Sequence, residues 1–206
     1  THLFSSAASD VYKRQSLSSE KFKTDGKSIR GSIMIVGPLL ARFGVASIPR
    51  PGGDKIGRRR LDTHFGGLIK LGAQFTYDKE SRFYSVKAKN LVGTYILMEE
   101  ASVTGTANII MAASLAKGET TIYNAACEPY IQQLCKLLIS MGAKISGLGS
   151  NLLKINGVDT LGGANHKVLP DMIEIGSWIG LAAMTKSCIR IKNVSWDKLG
   201  IIPLSL

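Results

Sequence analysis

Cysteine, histidine, aromatic and acidic residues are all scarce in this chain, and each shortage closes off a class of function. Three cysteines, Cys127, Cys135 and Cys188, show neither the paired spacing of a zinc site nor an even disulfide framework. They read as buried, reduced, apolar thiols. The three histidines, His2, His64 and His166, are scattered, so no metal site is legible. Aromatics make up 7% of the 206 residues and are not interleaved with cations, which argues against a base-stacking nucleic-acid platform. No apolar run approaches the roughly 18 residues of a membrane-spanning helix. Fifteen acids face 26 bases, a net charge of +11 that favours an anionic partner.

What is present starts with a loop. Arg50 to Arg60 reads Arg-Pro-Gly-Gly-Asp-Lys-Ile-Gly-Arg-Arg-Arg, with five cations, three glycines and one acid, Asp54. Glycines allow a close backbone approach to a ligand. Guanidinium and ammonium groups supply charge-assisted donors for phosphate or carboxylate oxygens. A lone carboxyl among them is placed to move a proton. A solvated basic loop tied by one salt bridge would have the same composition.

A unit of about 70 residues repeats: Leu71-Gly72-Ala73 and Met141-Gly142-Ala143 lie 70 residues apart. In the first copy an apolar helix over Ser32–Phe43 is stopped by Gly44, as a glycine past a helix end does. A strand over Val45–Pro49, a helix over Asp62–Leu71 and strands over Gln74–Tyr77 and Phe83–Val86 follow. The second copy has a strand over Tyr95–Met98, a helix over Ala107–Ala116 and a strand over Glu119–Tyr123. It continues with a helix over Glu128–Met141 and strands over Lys144–Ser146 and Leu152–Ile155. A third copy begins at Asp171 with a helix over Met172–Thr185 and a strand over Ser187–Lys192; Trp196 to Leu199 reads as a further helix start. The first helix of each copy is apolar almost all round, which predicts buried helices with the sheets facing solvent. Residues 1–15 fit nothing that follows and read as a non-native or disordered leader. The abrupt far end predicts an interior piece of a longer protein.

Gly37 to Gly44, Pro51-Gly52-Gly53-Asp54-Lys55-Ile56-Gly57-Arg58-Arg59 and Asp62-Thr63-His64 closely resemble the UDP-N-acetylglucosamine enolpyruvyl transferase family. The similarity continues through Ser102-Val103, Asn124-Ala125-Ala126, Glu128-Pro129, Met141 to Ile145 and Pro170-Asp171, covering nearly all of residues 20–203. It implies an α/β fold, the inside-out α/β barrel of the enolpyruvyl transferases, built from repeated β-α-β-α-β-β units and present here in part. Residues 16–168 would hold most of one domain as two repeats, and 169–206 the start of the other. The implied reaction moves the enolpyruvyl group of phosphoenolpyruvate to the 3-hydroxyl of UDP-N-acetylglucosamine and releases phosphate. It is the first committed step of peptidoglycan synthesis, in the cytoplasm, without metal or organic cofactor and without nucleic-acid or membrane partners. The base that takes the sugar hydroxyl proton would lie beyond Leu206, so the piece alone is expected to be inactive.

The resemblance also assigns roles. Asp54 matches the loop position that is usually a cysteine, which protonates C3 of phosphoenolpyruvate and is the group fosfomycin alkylates. Arg30 matches a basic residue holding the nucleotide sugar. Arg59, Arg60, Leu61, Asp62 and Thr63 match the stretch around the nucleotide and phosphates. Glu100, Ala101, Ser102 and Val103 match another nucleotide-sugar segment. Two residues depart from the family pattern: Glu100, where a basic or neutral residue is expected, and Arg60, where proline is common. Arg60 is expected to offset Glu100. His64 reads as a helix-face residue making structural hydrogen bonds, Trp178 and Trp196 as packing residues, and Lys21, Lys23 and Lys27 as a solvated face. Two alternatives stay open: 3-phosphoshikimate 1-carboxyvinyltransferase, with the same fold, and a nonenzymatic anion- or nucleic-acid-binding module.

Overall fold

Two copies of one unit pack around a shared central helix. The computed structural model describes residues 19–53, 60–194, Trp196 and Leu199. In chain order come α1 (Glu20–Ser28), a 3-10 helix (Arg30–Ile35), α2 (Val36–Phe43), β1 (Val45–Pro49), α3 (Asp62–Lys70), β2 (Gln74–Asp78) and β3 (Phe83–Lys87). The second unit is β4 (Tyr95–Leu97), α4 (Val103–Ala113), β5 (Glu119–Tyr123), α5 (Pro129–Ser140), β6 (Lys144–Ser146) and β7 (Leu152–Asn156), and α6 (Met172–Thr185) follows.

The sheets run β1-β3-β2 and β4-β5-β7-β6. In both units the strand after the first helix pairs antiparallel with the last strand, which also pairs antiparallel with the one before it. The second sheet adds β4, parallel to β5. The matching turns are alike in detail. Gly72 and Gly142 adopt φ of 98° and 108°, and Ala73 N–H and Ala143 N–H donate back to Leu68 O and Leu138 O. A positive φ is costly for residues with a Cβ, which explains the glycine in both copies.

The burial pattern is the expected inversion. Helix α4 is buried around most of its surface, including Ile109, Ile110, Ala112 and Ala113. Helices α2, α3 and α5 pack on it. The strands keep one face outward; along β7, Leu152 and Lys154 are exposed while Leu153 and Ile155 are buried. Where α2 crosses α4 the backbones nearly touch. A Cβ on Gly37 would lie 2.4 Å from Asn108 O, so only glycine fits there.

Several expectations need correction. The apolar segment from Ser32 splits into a 3-10 helix and α2, because Pro38 has no N–H to donate to Met34 O and the α-helix therefore starts at Val36. Helix α4 starts at Val103, earlier than read, because Ser102 caps it, its Oγ accepting from Gly105 N–H at 3.1 Å. Helix α1 was not legible at all. It is short and polar, capped by Ser19, and carries an exposed Lys23–Glu20 pair at 2.5 Å.

No strand forms over residues 187–192, since no neighbouring strand among the described residues offers a ladder to pair with. Cys188 in that segment and Cys127 before α5 are exposed; only Cys135 is a buried thiol, its pKa pushed up to about 11 by burial. Trp178 and Trp196 are half-exposed rather than packed, and α6 also leaves Ile173, Leu181 and Met184 open. The leader, residues 1–15, and most of the helix start read at Trp196 to Leu199 lie outside the described residues. No helix among the described residues is long and apolar enough to cross a membrane.

Candidate functional site

Three chain segments converge at the end of the fold where α3 and α4 begin. Helix α4 opens with Ser102, Val103 and Thr104, after a turn in which Ser102 N–H donates to Glu100 O at 2.8 Å. Helix α3 opens at Asp62 with His64 and Phe65 N–H donating to Leu61 O. The 3-10 helix opens at Arg30. Between them lies a cleft of about 510 Å³ lined by Arg30, Gly31, Ile33, Arg60, His64, Glu100, Ser102 and Thr104. Helix N-termini carry unpaired N–H groups and a partial positive charge, a suitable setting for an anion.

The basic loop opens and closes at Arg30. At its start, a Cβ on Gly52 would lie 1.8 Å from Lys27 O, and one on Gly53 would lie 3.3 Å from Arg30 N. Gly53 also adopts φ 90°. Only glycines allow the chain to pass this close to the end of α1. At its other end, Arg30 Nη2 donates to Arg60 O at 3.4 Å. Asp54 and Arg59 fall between these anchors and lie outside the described residues.

Of the other expected residues, Arg30, Arg60, Glu100 and Ser102 line the cleft together. Asp62 joins them through an exposed ion pair, Arg60 Nε to Asp62 Oδ2 at 2.5 Å. That carboxylate is the main cause of a raised Arg60 pKa, with Glu99 and Glu100 adding to it. Arg60 therefore answers Asp62 first, with Glu99 and then Glu100 after it. Thr63 sits against the first turn of α4, its Oγ1 beside Gly105. Leu61 and Val103 pack on the core, while Ala101 is exposed and stands beside the cleft-lining residues Glu100 and Ser102 in the chain.

Beneath the cleft lies a polar network. Asn108, fully buried, donates from Nδ2 to Ile33 O and to His64 Nδ1, both at 2.8 Å, and accepts at Oδ1 from Gly37 N–H at 2.9 Å. Backbone groups on both sides fix which way the amide points, because the flipped amide would set oxygen against oxygen and N–H against N–H. Nδ1 of His64 must then be the acceptor and Nε2 must carry the ring proton. Nε2 lies 3.2 Å from Thr104 Oγ1. His64 is 2% exposed, and burial, aided by the Arg30 charge, lowers its pKa to about 4. It is neutral near pH 7. The structural reading of His64 holds, yet its ring also forms part of the cleft wall, as does Thr104, which sequence reasoning missed. The only available signal was its place one step after Ser102-Val103.

Comparison with known proteins bears on the family and the fold. A family model for EPSP synthase (3-phosphoshikimate 1-carboxyvinyltransferase) matches residues 4–203. The chain is 66% identical over 189 residues to a UDP-N-acetylglucosamine 1-carboxyvinyltransferase of Bacteroides fragilis, covering 92% of this chain and 44% of that one. It is 62% identical over 189 residues to the protein of the same name from Porphyromonas gingivalis, with the same 92% and 44% coverage. The chain thus spans less than half the length of these curated relatives. Among solved structures, the enolpyruvyl transferase NikO from Streptomyces tendae superposes with a TM-score of 0.61 at 19% identity, over 73% of this chain and 36% of that one. At that identity the likeness speaks for the fold, the α/β architecture of the enolpyruvyl transferases.

Proposed function

The chain belongs to the EPSP synthase (3-phosphoshikimate 1-carboxyvinyltransferase) family, and from that membership we infer that it is part of an enolpyruvyl transferase acting on UDP-N-acetylglucosamine. The observation that carries the choice of acceptor is the 66% identity to a UDP-N-acetylglucosamine 1-carboxyvinyltransferase, set against a shikimate-branch likeness that is family-wide only. The reaction joins the sugar 3-hydroxyl oxygen to C2 of phosphoenolpyruvate as a proton reaches C3. Loss of a proton and of inorganic phosphate then restores the double bond.

In this reading Asp54 is the acid that protonates C3, and Arg59 holds the anion beside it. Arg30, Arg60, Asp62, Thr63, Glu100 and Ser102 form the wall that takes the nucleotide sugar, with Leu61, Ala101 and Val103 supporting it. Neighbouring cations favour the ionised carboxylate, whereas a bound anionic substrate offsets them and favours the protonated acid. The second wall of the cleft and the base for the sugar hydroxyl belong to a further domain, with the crossover near Val168 to Pro170. The setting is cytoplasmic peptidoglycan synthesis.

The test is the full-length protein with Asp54→Asn. An amide cannot supply the proton, so phosphate release from phosphoenolpyruvate should be lost while UDP-N-acetylglucosamine still binds. Retained turnover would move the proton donor to another residue.

A further inference from the structure

We propose that the Thr104 hydroxyl is a substrate-binding donor for a phosphate oxygen of the nucleotide sugar, held in that role by His64. The inference rests on the nucleotide-sugar reading above and adds to it a side-chain contact and the device that orients it.

A threonine hydroxyl offers one proton and two acceptor lone pairs. At Thr104 one acceptor lone pair is engaged, because the Asn108 amide fixes the ring proton of His64 on Nε2, 3.2 Å from Thr104 Oγ1. Among the described residues the hydroxyl has no other partner, so its own proton is left for an acceptor in the cleft it lines. The neighbouring hydroxyl is arranged alike: Ser102 Oγ accepts from Gly105 N–H at 3.1 Å and keeps its proton. Two hydroxyls two residues apart, each supplied with a hydrogen bond by the protein and each lining the same cleft, match a ligand rich in acceptor oxygens and poor in donors. A diphosphate has that character, and the cations Arg30 and Arg60 line the same cleft along with the single carboxylate Glu100.

Burial explains why a histidine serves as the orienting group. With its pKa lowered to about 4, the ring stays neutral and keeps one proton on one nitrogen throughout the working pH range. A charged ring would free Asn108 of its acceptor and break the chain of donors. His64 is therefore a positioning residue, acting through Thr104.

The test uses the full-length enzyme, with Thr104→Val and Thr104→Ser variants titrated with UDP-N-acetylglucosamine, UDP and uridine. Valine keeps the shape of threonine and removes the hydroxyl. A hydrogen bond to a charged group is worth about 1.5–3 kcal/mol, or roughly ten- to a hundredfold in affinity. Thr104→Val should lose that factor for both phosphate-bearing ligands and leave uridine unaffected; Thr104→Ser should recover most of it. Long-range proton–nitrogen NMR of the wild-type protein at neutral pH should show His64 protonated on Nε2. Unchanged UDP affinity in Thr104→Val, equal losses for uridine, or a proton on Nδ1 would each overturn the inference while leaving the proposed function standing. Wild-type protein that binds no UDP-N-acetylglucosamine would instead overturn that function, and this contact with it.

Discussion

Replacing Asn108 with alanine in the full-length protein should cost more stability than any surface change. Its side chain clamps three separate pieces: the 3-10 helix through Ile33 O, the start of α2 through Gly37 N–H, and α3 through His64 Nδ1. All three groups would be left buried and unpaired. Each such orphan costs about 1–3 kcal/mol. Partial relaxation and water entry at the cleft floor reduce the sum, so a total of about 3–6 kcal/mol is expected. That is a large share of the roughly 5–15 kcal/mol that holds a protein folded. A protein of its relatives' length, more than twice that of this chain, shifts by about 1 °C per kcal/mol, so the melting temperature should drop by roughly 3–7 °C. Calorimetry of wild type, Asn108→Ala and the exposed control Asn151→Ala would measure it, with the control within about 0.5 kcal/mol of wild type. A drop below about 1 °C in Asn108→Ala would show that the network does not clamp these elements, and the His64 tautomer assignment would fall with it.

Further outcomes follow from the same geometry. His64 has a folded-state pKa of about 4 against an ordinary 6.5, so the unfolded chain takes up the proton first as pH falls. Its contribution is intact above pH 6.5 and declines by about 3 kcal/mol on going down to pH 4. Melting curves across that range should show the loss in wild type and a shallower slope in His64→Gln; equal slopes would refute it. Gly52→Ala places a Cβ 1.8 Å from Lys27 O, so the base of the loop must shift. Ligand affinity should fall along with about 1–3 kcal/mol of stability, and an alanine variant with wild-type binding would remove the loop anchor from the account. A carboxylate is a much weaker nucleophile toward an epoxide than a thiolate. Fosfomycin should leave the Asp54 enzyme active and inactivate Asp54→Cys with time, and stoichiometric labelling of the aspartate form would contradict this.

Much of the fold was legible because it depends on local signals. Gly44, Gly72 and Gly142 mark helix ends, and β1, β5 and β6 have the limits read from the sequence. Elements whose formation depends on distant partners were not legible. Helix α1 is polar and gains its place by docking on β1. The segment over 187–192 has strand-like residues and no strand beside it. The cleft divides in the same way. Arg30, Arg60, Glu100 and Ser102 meet in one place. The roles of His64 and Thr104 depend on Asn108, whose contacts reach 44 residues back to His64 and 71 back to Gly37. No local pattern encodes a ring tautomer fixed across such separations.

The choice of acceptor separates the nucleotide-sugar reading from the shikimate branch in one assay. The full-length protein would be given phosphoenolpyruvate with either UDP-N-acetylglucosamine or shikimate 3-phosphate, and inorganic phosphate followed over time. Phosphate should be released with the nucleotide sugar, matched by formation of its enolpyruvyl ether, and not above background with shikimate 3-phosphate. Release with shikimate 3-phosphate alone would place the protein on the other branch of its family and contradict the account.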